Sequence, residues 1–156
     1  MTQVKELLDK FSNGLRNHDH QAMADCYHSN ATFKDIAFDL PNKKMIHAMW
    51  HFIAESDIRL LSFDVDQVNS NSGTANWSAE YTFRDTGRRV HNNTRSSFEF
   101  EGGLIVKQVD AANPWNWCLQ ALGPVKGRIA WLIPAIRRRK AMGKLKSFIR
   151  SHPQYE

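Results

Sequence analysis

At 156 residues the chain has the length of one domain with a single full core, and 42% apolar residues, including 9 Phe and 5 Trp, exclude a disordered protein. The net charge of +5 is unevenly placed: residues 1–125 carry 12 Lys and Arg against 15 Asp and Glu, whereas residues 126–156 carry 9 Lys and Arg and only Glu156. A membrane-spanning helix is excluded, because the longest apolar run, IAWLIPAI at 129–136, falls far short of the ~20 residues it needs. Cys26 and Cys118 stand alone, without CxxC or metal-ligand spacing, and MTQVKELLDKF has no signal-peptide run. Both features lead us to expect buried free thiols and a cytoplasmic protein.

Val4, Leu7, Leu8, Phe11 and Leu15 share one face of a helix that starts after Thr2 as N-cap. NHDH breaks it. Ala22, Met23, Cys26 and Tyr27 predict a second short helix ended by HSN, and ATFKD a short strand. LPNKKMIHAMWHFIAES reads as a third helix, with Met45, Ile46, Met49, Trp50 and Ile53 on one side. The period then changes to two. IRLLSFDVDQVN alternates at Leu61, Phe63 and Val65, and TANWSAEYTFRD at Ala75, Trp77, Ala79, Tyr81 and Phe83. DTG turns into RVHNNTRSSFEFE, and GG turns into LIVKQVDA. Helices followed by an antiparallel meander predict an α+β fold, with helices on one face of a strongly curved sheet. NPWNWCLQALG reads as a short closing helix punctuated by Gly123-Pro124. IRRRKAMGKLKSFIR reads as a last basic helix with Ile136, Met142, Leu145, Phe148 and Ile149 apolar. We expect a domain over 1–125 and a basic amphipathic extension over 126–156.

YHSNATFKD resembles the Tyr-x-x-x-Ala-Thr-x-x-Asp signature of the nuclear-transport-factor-2-like superfamily, in its SnoaL-like and ketosteroid-isomerase-like branch. YTFRDTGRRVHN and FEFEGGLIVKQVDAANPWNWCLQALG are similar to stretches common in its bacterial members. The resemblance runs from about residue 4 to 123. It implies a cone, in which a bent mixed or antiparallel sheet wraps the N-terminal helices around an apolar cavity, and a homodimer through the outer face of the sheet. Carried over by register, the family's catalytic base falls on Asp35. The oxyanion Tyr falls on Phe11 and the oxyanion Asp on Ser96, so the usual oxyanion hole is missing. The Arg-x-Asp pair of the limonene-epoxide-hydrolase variant is absent from 88–101. Family members often carry His where Gln108 stands and Asp where Asn113 stands.

Asp35 lies among Ala31, Phe33, Ile36 and Phe38, so it is a turn acceptor, a solvent-facing residue or a base in an apolar pocket. Asp110 follows Gln108 on the last strand, on the face that the family register turns inward. It is the second catalytic carboxyl, an acceptor for the Trp115 or Trp117 N–H, or a capping residue before NPWNW. Asn92, Thr94 and Ser96 share the face of Phe98 and Phe100. With Trp50, Trp77, Tyr81, Gln108, Asn113 and Trp117, Asn92 and Ser96 complete the expected ligand-binding set. His47 and His51 stand i, i+4 in HAMWH, without the Glu of HExxH and without a third ligand in the sequence, so neither metal nor cofactor is expected. The basic segment 126–150 is expected to dock on the body or on a second copy. A membrane surface stays open as its partner, and no nucleic acid is expected, because RRRK lacks any recognition module. The expected function is binding of a small apolar organic molecule, with cofactor-free isomerisation, cyclisation or hydration by Asp35 as base and Asp110 as acid. The alternative is a non-catalytic ligand-binding or protein-interaction module, which the missing oxyanion donors favour.

Overall fold

The computed structural model describes residues 2–156. Three helices, α1 (Thr2–Arg16), α2 (His20–Ala24) and α3 (Lys43–Ala54), precede most of the sheet, with strands β1 (Tyr27–Lys34) and β2 (Asp39–Leu40) between the last two. Strands β3 (Arg59–Val68), β4 (Ser72–Phe83), β5 (Arg88–Glu101) and β6 (Leu104–Ala112) follow as a meander. The sheet is mixed, in the order β2-β1-β6-β5-β4-β3, with β1 parallel to β6 and every other neighbour antiparallel. Leu8, Phe11 and Leu15 of α1 and Ile46, Met49 and Trp50 of α3 pack on the inner sheet face, and all are buried. Phe11 stands edge-on to the rings of Tyr27, Trp50 and Phe98. Phe11 is thus a core aromatic.

Two expected boundaries move. HSN does not end α2; His28–Asn30 already belong to β1, which pairs with β6 from Tyr27↔Ile105 onward. On β3 the pairing slips between Leu60↔Ala79 and Ser62↔Ser78, a bulge that changes the phase of the strand. Leu60 therefore turns inward, and Leu61 is exposed rather than aligned with Phe63 and Val65.

After the sheet come α4 (Pro114–Leu122), α5 (Pro124–Leu132), α6 (Pro134–Arg150) and a 3-10 turn at Pro153–Tyr155. Helix α5 was not expected. Gly123 ends α4 at φ 82°, and Pro124 then starts α5 at its first turn, where a missing N–H costs nothing. Leu145, Phe148 and Tyr155 join the core cluster with α1, α3 and the sheet. Both cysteines are buried and free.

Candidate functional site

The inner faces of β4, β5 and β6, the C-terminal part of α3, helix α4 and helix α6 enclose a cavity of about 650 Å³. Its apolar walls include Phe33, Phe38, Trp50, Phe52, Trp77 and Trp117, and the exposed cations Arg84 and Lys140 border it. Asp35 and Asp110 both line this chamber.

Asp35 ends β1. Its N–H donates to the Phe38 carbonyl (2.9 Å), and its Oδ1 accepts the N–H groups of Ala37 (2.7 Å) and Phe38 (2.6 Å). A short side chain that copies a backbone turn in this way is why Asp suits this position. Helix α6 grips the same turn. Arg138 donates to the carbonyls of Asp35 (3.0 Å) and Phe38 (3.4 Å), and Arg137 Nε to that of Ile36 (2.7 Å). Burial raises the Asp35 pKa above the ordinary carboxyl value, while the Phe38 and Ala37 amides and the two guanidiniums oppose the rise.

Asp110 is buried on β6 opposite Ser96 of β5. Its Oδ1 accepts the Ser96 hydroxyl and Gln108 Nε2 (2.9 Å). Ser96 in turn accepts Trp77 Nε1 (2.8 Å). Gln108 Oε1 accepts the Tyr27 hydroxyl, which accepts Trp50 Nε1 (3.0 Å). The donors to Asp110 are neutral. Burial pushes its pKa from 3.8 to about 7, the Ser96 and Gln108 bonds oppose that, and the Asp35 charge adds to it. Among the described residues, no buried side-chain N or O lacks a partner. Oδ1 of each carboxyl takes the protein donors, and the second oxygen of each takes none among the described residues.

Tyr81 also lines the chamber, and its hydroxyl accepts Trp117 Nε1 (2.5 Å). Burial pushes its pKa to about 12, with the Asp35 charge contributing, so the hydroxyl keeps its proton and has it free to donate. Trp50, Trp77, Tyr81, Asn92 and Trp117 therefore border the cavity with the two carboxyls. Ser96 and Gln108 lie behind Asp110 as its hydrogen-bond donors. Asn113 lies elsewhere: it is exposed, its side chain caps α4 by accepting the Asn116 N–H (3.2 Å), and it borders a shallow depression on the outer sheet face. An Asn before a Pro at N1 is a helix-start signal, and that signal is what the position serves. The grip of Arg137 and Arg138 on the Asp35 turn had no local sequence signal, since RRRK reads as a solvated basic face.

A family model described as SnoaL-like domain matches residues 8–108. No curated protein matches the chain. Among solved structures, the chain is similar to a "putative polyketide cyclase" from Xanthomonas campestris pv. campestris, with 13% identity, TM-score 0.67 and coverage of 76% of this chain and 96% of that one. It is similar to a "Putative Isomerase" from Bacillus subtilis at 22% identity and TM-score 0.64, covering 80% and 96%. It is also similar to an LEH-like epoxide hydrolase of M. tuberculosis at 13% identity and TM-score 0.61, covering 85% and 97%. Likeness at such identities shows the fold.

Proposed function

The chain belongs to the SnoaL-like domain family, and on that premise we propose that it binds a small, largely apolar molecule bearing a carbonyl and catalyses a cofactor-free proton transfer on it. The observation that carries this reading is the pair of carboxyls in one apolar chamber with unlike surroundings. Two carboxyls whose environments separate their acidities divide base and acid roles. Asp35, backed by two amides and two guanidiniums, is the better carboxylate and takes the proton from the carbon beside the carbonyl. Asp110, with a pKa of about 7, is half protonated at neutral pH. Its second oxygen and the Tyr81 hydroxyl donate to the oxygen on which charge develops. Where a C=C lies β,γ to that carbonyl, the proton returns from Asp35 to the γ-carbon of the dienolate, which moves the double bond into conjugation; where a second carbonyl is in reach, the enolate carbon attacks it and the alkoxide formed takes the proton back from Asp35, which closes a ring. These donors stand in for the groups missing at Phe11 and Ser96.

The test is hydrogen–deuterium exchange beside the carbonyl of apolar cyclic ketones in D2O, with binding followed by quenching of tryptophan fluorescence. The native chain is expected to bind and exchange, and Asp35→Asn to bind without exchange. Binding with no exchange by the native chain supports the non-catalytic ligand-binding reading instead; no binding removes both.

One further observation favours a surface role beside the chamber. Val125 (72% exposed), Ile129, Trp131, Leu132 (68%), Ile133 and Ile136 leave the apolar side chains of α5 and the start of α6 uncovered, among Lys126, Arg128, Arg139 and Lys140. No helix among the described residues is long and apolar enough to cross a membrane. An apolar helix edged by cations instead fits a position on an anionic lipid surface.

A further inference from the structure

Four of the chain's histidines gather where α2, α3 and the C-terminal turn meet. His20 stacks on His51 (ring centroids 3.7 Å apart) and its Nδ1 lies 2.9 Å from His47 Nε2. On the other side, His51 Nε2 lies 3.4 Å from Glu55 Oε1, and His152 Nε2 lies 3.9 Å from the same oxygen. The three ligand atoms of His51, Glu55 and His152 all fall within 4.8 Å of one another. A tetrahedral zinc ion with bonds of about 2.1 Å holds its ligand atoms about 3.4 Å apart. The His51–Glu55 pair already meets that spacing, and His152 Nε2, 3.9 Å from Glu55 Oε1, has about 0.5 Å to close on it.

The outer ring nitrogens of both imidazoles are held by the protein. His152 Nδ1 lies 2.9 Å from the Phe148 carbonyl, which can only accept, and 2.9 Å from the Ser151 hydroxyl, which itself donates to that carbonyl (2.8 Å); the tautomer with its proton on Nδ1 serves this carbonyl and leaves Nε2 its lone pair. His51 Nδ1 lies 2.9 Å from the Tyr155 hydroxyl, which can take its N–H in the same way. This is how metal-binding imidazoles are oriented: the far N–H is held, and the near nitrogen faces the ion. The Glu55 side chain is 47% exposed, which gives an entry path and room for water at a fourth position.

We propose that His51, Glu55 and His152 form a binding site for a divalent transition-metal ion of the zinc type, with two imidazoles, one carboxylate and an open position. Imidazole and carboxylate donors suit zinc and its neighbours in the first row rather than magnesium or calcium. The i, i+4 pair on α3 is His51 with Glu55, not His47 with His51, and the third ligand comes from the end of the chain. A metal there ties His152, just past α6, to α3. Helix α6 carries Phe148 and Lys144 of the chamber wall and Arg138 of the Asp35 turn. The ion would therefore fasten one side of the chamber without taking part in its chemistry.

The test uses the full chain without a polyhistidine tag and zinc alone as probe, in competition with a chromophoric chelator. The native chain is compared with Glu55→Gln, His152→Asn and, as a remote control, His91→Asn. We expect one zinc per chain, a higher thermal midpoint with zinc, at least ~10-fold weaker binding in both ligand variants, and no change in the control. Glu55→Gln keeps the shape of the side chain at an exposed position, so its metal-free midpoint reports folding separately. Zinc held no more tightly by the native chain than by Glu55→Gln and His152→Asn overturns the proposal.

Discussion

Replacing Asp110 by Asn should stabilise the protein at high pH and leave it nearly unchanged at low pH. Asn keeps the side-chain oxygen that accepts from Ser96 and Gln108, and removes only the ionisable group. The Asp110 carboxyl is pushed from 3.8 to about 7 in the folded chain. The folded state therefore holds this proton more tightly than the unfolded state does. That contribution is fully present below about pH 4, falls as pH rises and is lost above about pH 7. Across the interval from 3.8 to about 7, at about 1.4 kcal/mol per pH unit, the loss amounts to about 4 kcal/mol at most. Urea unfolding of both proteins at pH 4, 5, 6, 7 and 8 reads the difference directly, because all other titrating groups are common to the pair. The Asn variant should gain steadily up to about pH 7 and level off beyond it. A difference that is flat with pH, or an Asn variant that is weaker at pH 8, would refute the reasoning.

Trp77→Phe removes the N–H that Ser96 accepts in the buried network, and should cost about 1–3 kcal/mol in urea unfolding. Leu145→Ala empties a fully buried position where α6 meets the core, and should cost about 2–5 kcal/mol; a loss near zero would detach α6 from the core. Arg138→Ala removes a cation that lowers the Asp35 pKa, so the ascending low-pH limb of any exchange activity should move to higher pH, as a pH–rate profile would show. Ile129→Glu with Leu132→Glu should abolish co-sedimentation with anionic vesicles; equal pelleting of variant and native chain would remove α5 from the membrane reading.

The meander was legible because Ala75, Trp77 and Ala79 alternate without interruption and the turns carry Gly. The phase of β3 was not, because the bulge after Leu60 adds a residue that hydropathy alone does not mark. Asp35 drew notice through its apolar neighbours and the YHSNATFKD signature. Its Oδ1 is the turn acceptor weighed for it, and the residue also lines the chamber. The inward face of Asp110 and Gln108 was expected from the family register, whereas the Ser96 hydroxyl as a donor to Asp110, in place of a Trp N–H, came only from the pairing of β5 with β6. What sequence could not show were contacts made only by the final packing. Arg137 reaches Ile36, Arg138 reaches Asp35, and His152 reaches Glu55, each across most of the chain. Helix α5 was hidden for a different reason. Gly123-Pro124 reads as a stop, yet the same pair ends one helix and begins the next.

Whether two carboxyls of unlike basicity share one chamber is read by carbon-13 NMR titration of the aspartate carboxyls, assigned with Asp35→Asn and Asp110→Asn. Asp110 should titrate near 7, and its midpoint should fall when Asp35 is made neutral, because the Asp35 charge raises it. An Asp110 carboxyl that titrates with the surface carboxylates, unmoved by Asp35→Asn, would contradict the division of roles on which the proposed chemistry stands.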